Sequence, residues 1–178
     1  MSRQPRAAQQ RDIDALDLLS REHQGIRRHF RDYELLVSSG GDAEQKAAVV
    51  GRICDACCVH LQVKDELLYP AARSVLGSDP LLAHLRCDHA GSRELIARLD
   101  EMEPLDADFD VCVARLAACL LPHLDAERQE LFPHLRCSKF ALGGLGLQIA
   151  ARRRALQADI TRQSIPATMR WAAARLAA

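Results

Sequence analysis

The sequence contains an internal repeat, and each copy carries two histidines at matched places. The first histidine of each copy follows an acidic residue and precedes a glycine by two positions. The second is followed by leucine and, about ten positions on, by an aromatic–proline pair. Two copies of one hairpin, arranged about a pseudo-twofold axis, are therefore expected. The matching segments are Glu22-His23-Gln24-Gly25 with Asp88-His89-Ala90-Gly91, His60-Leu61 with His123-Leu124, and Tyr69-Pro70 with Phe132-Pro133.

Apolar side chains recur with a helical period along most of the chain. Alanine, leucine and arginine dominate and aromatic residues make up only 4%, which is typical of helical proteins. We expect one all-α domain, an up-down-up-down four-helix bundle with additional C-terminal helices. The predicted units are a disordered N-terminal tail over 1–11, the bundle over 12–135 and a helical extension over 136–178, with helices near 145–162 and 166–177.

Each predicted helix of the bundle carries one histidine on its apolar stripe. These helices are expected over about 12–37, 43–74, 80–102 and 107–131. Within each hairpin, the distances from the turn to the two histidines agree within about 5 Å at ~1.5 Å per residue. Short turns make neighbouring helices antiparallel. The sequence therefore predicts that four histidines meet at one level of the bundle, namely His23, His60, His89 and His123.

The charge balance and the cysteine content limit the classes of partner and compartment. Basic and acidic residues number 24 each, so no net charge favours nucleic acid or an anionic membrane. No segment reaches the roughly 20 apolar residues of a membrane span, and none has the pattern of a signal peptide. Seven cysteines without an export signal indicate free thiols in a reducing cytoplasm. We expect a cytoplasmic protein without nucleic-acid or membrane partners.

His123 and Glu127 are four residues apart and therefore share one face of their helix. An imidazole and a carboxylate aimed at one point, together with histidines from facing helices, form non-haem metal sites in helical bundles. Mixed nitrogen and oxygen ligation suits iron, manganese or zinc. The predicted metal ligands are His23, His60, His89, His123 and Glu127.

The repeat predicts a matching carboxylate at position 64, but the chain has Lys64 there. An ammonium group is repelled by a cation, so the ligand set suits one metal ion, or two with water or added anions. Asp65 and Glu66 are expected to face away from the site, because they lie about 140° and 120° from His60 around the helix. Glu130 is expected on the metal-facing side of its helix, about 10 Å beyond the site.

Other interpretations of these residues stay open. A buried Lys64–Glu127 ion pair, which is tolerable when well hydrogen-bonded, would replace the metal bridge in a metal-free helical interaction module. Cys57 and Cys119 each lie one turn before a motif histidine, and they are either small buried apolar residues, or thiolate ligands or redox-sensing thiols. The remaining histidines, expected at the surface or rim, are His29, His84 and His134.

The motifs resemble the hemerythrin-like, or HHE cation-binding, family over about residues 12–135. The resemblance implies a four-helix bundle with a non-haem diiron or related dimetal centre, and roles in oxygen binding, oxygen or iron sensing, or the response to nitric oxide or oxidative stress. By the family's pattern the five predicted ligands match ligand positions. Lys64 stands in the place of a bridging carboxylate, and Arg93 stands where oxygen-carrying members have another histidine. The residues that carry the resemblance are Glu22-His23, His60, Glu66-Leu67-Leu68-Tyr69-Pro70, Asp88-His89, His123, Glu127 and Leu131-Phe132-Pro133.

The leading functional hypothesis is a metal-binding protein that holds iron, with zinc or manganese as alternatives. It would sense oxygen, nitric oxide, redox state or the metal itself, rather than transport oxygen or turn over a substrate. The metal-free interaction module is the second hypothesis, and a peroxidase or iron-centre repair factor is the third. The C-terminal helices are expected to cover the bundle or to form a homodimer contact.

Overall fold

The computed structural model describes residues 14–138 and 142–176, with side chains described as far as residue 162. The predicted N-terminal tail over 1–11 lies outside the described residues. The described backbone is helical and contains no β-strand. Its α-helices are α1 (Ala15–Ser38), α2 (Ala43–Val63), α3 (Tyr69–Leu76), α4 (Pro80–Glu101), α5 (Phe109–Ala126), α6 (Phe132–Cys137) and α7 (Leu142–Leu176).

Two short π-helical segments interrupt the second and fourth helices of the bundle. The first π segment is Lys64–Leu68, between α2 and α3, and the second is Glu127–Leu131, between α5 and α6. Each ends with a backbone hydrogen bond to the carbonyl five residues earlier, from Tyr69 to Lys64 and from Phe132 to Glu127. A proline follows each segment at the start of the next helix. Since the segments occupy equivalent places, the repeat in the sequence extends to the helical geometry.

The four helical units form the predicted up-down-up-down bundle. α1 packs against α2 and α4 packs against α5, and contacts of α2 with α4 and of α1 with α5 close the ring. Local sequence fixes where the helices begin. Asp14 and Asp79 accept hydrogen bonds from the first turns of α1 and α4, and Asp42 and Gln45 form a capping box at the start of α2. Such caps satisfy backbone N–H groups that have no partner inside the helix.

The core has two apolar halves, and the histidines lie where the halves meet. One half contains Leu19, Leu68 and Leu131, and the other contains Ile53 and Leu116. The motif histidines occupy the level between these clusters and are themselves buried. A buried polar layer between two apolar clusters needs partners for its nitrogen and oxygen atoms, because an unpaired polar group is costly away from water.

Helix α7 packs across α1, α2 and the first π segment. Leu145, Ile149 and Leu156 are buried and belong to the same apolar half of the core as Leu19. The expectation of two helices in this region is wrong, since one helix spans Leu142–Leu176. A single Pro166 removes one backbone hydrogen bond, and a proline within a helix can bend it without ending it. None of the helices in the described part of the chain is long and apolar enough to cross a membrane.

Candidate metal centre

The structure brings the four motif histidines together, one from each helical unit of the bundle. The Nε2 atoms of His89 and His123 are 3.1 Å apart. The rings of His23 and His60 meet edge to face, with centroids 4.9 Å apart. Each of these residues is at most 3% exposed. The helical spacing in the sequence therefore placed the residues correctly at one level.

Glu127 lies between the two histidine pairs. Its Oε2 atom is 3.3 Å from the Nε2 of His23 and 3.6 Å from the Nε2 of His123. Glu127 forms one potential metal-binding group with His23 and His60 and a second with His89 and His123, and in each group the ligand atoms lie within 4.8 Å of one another. One carboxylate thus belongs to two three-residue donor sets, which is the arrangement of a bridging ligand.

Carboxylates on the outer side of the site hold three of the four imidazoles. Glu22 Oε2 lies 2.8 Å from His60 Nδ1, and Asp88 Oδ2 lies 3.2 Å from His123 Nδ1. Each of these acids precedes one motif histidine in the sequence but contacts the histidine of the next helix. A carboxylate on the outer nitrogen fixes the ring and leaves the inner nitrogen free to bind a metal.

Asp65 supplies the third outer carboxylate, with Oδ1 2.8 Å from His89 Nδ1. The prediction that Asp65 faces away from the site is therefore wrong. It assumed a regular α-helix, whereas Asp65 lies in the first π segment, where i→i+5 bonding turns the chain through a smaller angle per residue. The equivalent place in the second half of the repeat is Arg128, which cannot accept a hydrogen bond. Within the described part of the chain, the Nδ1 of His23 has no hydrogen-bond partner.

Lys64 lies inside the site. Its ammonium donates to Glu127 Oε2 at 2.7 Å and lies 2.9 Å from His123 Nε2. Both Lys64 and Glu127 are fully buried. Burial lowers the pKa of Lys64, and the charge of Glu127 opposes that effect. Burial alone would raise the pKa of Glu127, but Lys64, together with His23 and His123, holds it well below its usual range.

Tyr69 is a member of the site that the sequence reasoning did not identify. Its hydroxyl donates to Glu127 Oε1 at 2.8 Å and lies 3.0 Å from His89 Nε2. Its counterpart in the repeat, Phe132, instead stacks on His23 with ring centroids 5.5 Å apart. The exchange of tyrosine for phenylalanine at matched positions was the available signal, because a buried phenol needs a hydrogen-bond partner.

The imidazoles are held in the neutral form that metal binding requires. Burial lowers the pKa of His23 and lowers that of His60 well below its usual value. Burial, reinforced by the charge of Lys64, lowers the pKa values of His89 and His123 to about 4. At neutral pH each ring therefore keeps a lone pair for a cation.

The two donor sets differ in how well they fit a metal ion. Among the described residues, the Nε2 of His60 and the Nδ1 of His23 are buried without a hydrogen-bond partner, and the Nε2 of His23 contacts only the Glu127 carboxylate, at 3.3 Å. These residues with Glu127 therefore fit a cation. In the other set, Tyr69 and Lys64 already lie within hydrogen-bond distance of the histidine nitrogens. Lys64 therefore competes with a metal for the second set.

Comparison with known proteins identifies the family. The model of the family "Hemerythrin HHE cation binding domain" matches residues 14–135. The chain belongs to this family. A crystal structure of a Hemerythrin HHE cation binding domain-containing protein from Mycobacterium kansasii superposes with a TM-score of 0.70 and 18% identity, covering 85% of this chain and 92% of that one. That likeness concerns the fold. No curated protein matches the chain.

Several polar residues near this HHE site have roles outside the ligand set. Arg27 pairs with Asp125 at 2.8 Å, and Arg93 pairs with Asp65 at 2.6 Å. Glu66 faces away from the site, as expected, and binds Arg152 of α7.

The prediction that Glu130 lies on the metal-facing side of its helix is wrong, because its side chain is exposed. Glu130 lies in the second π segment. The smaller turn per residue there rotates Glu130 away from the helix face that carries His123. Its neighbour Leu131 is buried instead.

The cysteines do not enter the ligand set. Among the described residues, the groups able to hold a metal contain no cysteine. Cys57 is buried in the apolar core, and burial raises its pKa, which disfavours the thiolate. Cys119 is partly buried, with its sulfur 3.5 Å from the Ser92 hydroxyl. The three remaining histidines lie toward the surface, with His29 half-buried and His84 and His134 exposed.

Proposed function

We propose that this HHE protein binds a non-haem transition metal, with iron as the leading candidate and zinc or manganese as alternatives. The observation that carries the proposal is the set of buried, unpartnered nitrogens of His23 and His60 beside Glu127. Buried polar atoms are normally paired, and one cation could bind one nitrogen of each histidine together with the Glu127 carboxylate. Mixed imidazole and carboxylate ligation suits these metals. His89 and His123 would provide a second position if Lys64 withdraws.

The proposed role is the sensing of oxygen, nitric oxide, redox state or metal rather than oxygen transport. A surface cleft of about 300 Å³ has His23 in its wall, with Arg27 and Arg128 beside it. A cleft of this kind offers a small ligand a short path to the site. The seven cysteines are all free thiols, which supports a reducing compartment such as the cytoplasm. Bound metal would supply Lewis acidity and redox chemistry, while the outer carboxylates orient the imidazoles.

Metal content tests the proposal directly. Protein purified without chelators, aerobically and anaerobically, should carry metal in stoichiometric amounts by elemental analysis. His60→Ala and Glu127→Ala should lose it, because each removes a ligand of the better-fitting set. His134→Ala, which alters an exposed histidine outside the set, is the matched control. Wild-type protein with no metal above background under both conditions would refute the proposal.

A second candidate function is favoured by one specific observation. The 2.7 Å contact between Lys64 and Glu127 is a fully buried ion pair, which could replace a metal bridge in a metal-free interaction module. This alternative predicts that Lys64→Glu gains metal binding that the wild type lacks. Anomalous scattering from crystals grown with Fe²⁺ would count the ions, and two ions in the wild-type site would exclude the alternative.

A further inference from the structure

A chain of contacts runs from helix α7 into the metal-binding set. Arg153 Nε lies 3.2 Å from Glu22 Oε1, and Glu22 Oε2 lies 2.8 Å from His60 Nδ1. We infer that Arg153 is a positioning residue for His60, acting through Glu22, so that the C-terminal helix tunes the metal site. The inference rests on the proposed metal-binding function for its consequence, but the chain of contacts itself does not depend on a metal.

Burial gives this ion pair more weight than an ordinary surface pair. The Glu22 side chain is 8% exposed and that of His60 is 1% exposed. Glu22 Oε1 is buried and accepts no hydrogen bond from the described residues. The guanidinium of Arg153, 3.2 Å away, places an opposite charge beside it. Exposed ion pairs contribute little, whereas a carboxylate withdrawn from water depends on a nearby cation to stay charged.

The carboxylate of Glu22 sets the orientation of His60. With a proton on Nδ1 donated to Glu22, the lone pair of His60 lies on Nε2, which is the buried nitrogen without a partner. Without the contact from Arg153 at 3.2 Å, the Glu22 carboxylate would be freer to rotate, and rotation would weaken its hold on the ring. Groups on the outer nitrogen of a ligand histidine fix its tautomer and its direction.

The bundle contains a second chain of the same type. Arg93 lies 2.6 Å from Asp65, and Asp65 lies 2.8 Å from His89. In that chain the arginine belongs to α4 of the bundle. For His60 the arginine comes from α7, beyond the residues 14–135 that match the family model. The two arginine–carboxylate–histidine chains therefore serve one histidine in each donor set.

Helix α7 is docked firmly enough to hold Arg153 in place. Leu145, Ile149 and Leu156 are buried against the bundle. The adjacent Arg152 binds Glu66, with its Nε 2.6 Å from Oε2. Because Glu66 contacts none of the proposed ligands, Arg152 provides a matched control for Arg153 on the same helix.

Two measurements on the full-length chain test the inference. In metal-free protein, long-range ¹H–¹⁵N correlation spectra report the tautomer of His60, assigned with His60→Gln. Arg153→Gln should reduce the Nδ1-protonated population, whereas Arg152→Gln should leave it unchanged. In Co²⁺ titrations, Arg153→Gln should weaken binding about threefold to tenfold, less than the roughly 10–100-fold typical when a group touching the ligand is lost. Arg153→Lys, which keeps the charge, should restore most of the affinity.

The combined outcomes separate the inference from the proposed function. Arg153→Gln should have no further effect in a Glu22→Gln background, because the two act in series. Equal tautomer populations in wild type and Arg153→Gln, or equal Co²⁺ affinities for Arg153→Gln and Arg152→Gln, would overturn the inference. Wild-type protein that binds no Co²⁺ would count against the proposed function, while a tautomer shift in Arg153→Gln would still support the positioning of His60.

Discussion

At the scale of single residues, the two halves of the repeat have diverged at three matched positions. The first half carries Lys64, Asp65 and Tyr69, and the second carries Glu127, Arg128 and Phe132. In the first half, Lys64 and Tyr69 donate hydrogen bonds to Glu127, and Asp65 contacts His89. In the second half, Glu127 supplies the carboxylate and Phe132 stacks on His23. The divergence makes one donor set hydrogen-bonded within the protein and leaves the other open to a cation.

The Lys64–Glu127 pair predicts strong coupling in the stability of the metal-free protein. Removing one partner of a buried ion pair leaves the other charge unpaired, at a cost of about 3–5 kcal/mol. We expect Lys64→Met and Glu127→Gln each to lower the free energy of unfolding by about that amount, and the double variant to lose much less than the sum. Urea denaturation at neutral pH measures all three. Additive losses would show that the two charges do not stabilise each other.

The meeting of the four motif histidines was predictable, because the repeat placed them on apolar stripes of matched length. Glu127 was predictable because a separation of four residues in an α-helix is a reliable geometric rule. Tyr69 and Asp65 were not. Asp65 lies in the first π segment and Tyr69 directly follows it. The directions of both side chains therefore depend on a change of helical pitch that a regular period of 3.6 residues does not predict.

At the scale of the helices, the π segments determine which side chains enter the site. π-helical turns occur often at functional sites, and here each begins with a central residue of the site, Lys64 or Glu127. The prolines that follow lack the N–H group that would bond to the carbonyl four residues earlier. The prolines therefore predict a break in the regular α-helix at these places. Whether the helix kinks, ends or widens into a π segment depends on packing that residue patterns do not encode.

The contact of α7 with the bundle predicts a pH-dependent contribution to stability. A hydrogen bond from Arg152, assisted by one from Gln62, lowers the pKa of Glu66 to about 2. Since the pKa is lower in the folded state, the contribution is fully present above the unfolded value of 4.5 and is lost as the pH falls toward 2. Its size is small, because the pair is exposed to solvent.

Glu66→Gln isolates this contribution of α7. Denaturant midpoints should be lower for the variant than for wild type at pH 6, and the difference should shrink between pH 4.5 and about 2. Arg152→Gln should reproduce the same pH profile, because it removes the other partner. A difference that stays constant over this pH range would mean that the charge of Glu66 is not its source.

At the scale of the whole molecule, the bundle places its polar layer between two apolar halves. The layer contains neutral imidazoles and one ion pair, which burial makes costly. The apolar clusters and α7 provide the stability that allows such a layer to exist. His23, His60 and Glu127 come from three of the four helical units, so a cation bound to them would hold these units together and link ligand binding to global unfolding.

This linkage predicts a metal-dependent rise in the thermal unfolding midpoint. A ligand that binds only the folded state at about 100 times its Kd stabilises that state by about 2.7 kcal/mol. At about 2–4 °C per kcal/mol for a chain of this size, the midpoint should rise by roughly 5–11 °C. Calorimetry of metal-free protein with added Fe²⁺ under anaerobic conditions measures the shift. His60→Ala should show little of it, and His134→Ala, which alters an exposed histidine outside the set, should show all of it. An equal rise in His60→Ala would place the binding elsewhere, because His60 belongs to the better-fitting donor set and its Nε2 is buried without a hydrogen-bond partner among the described residues.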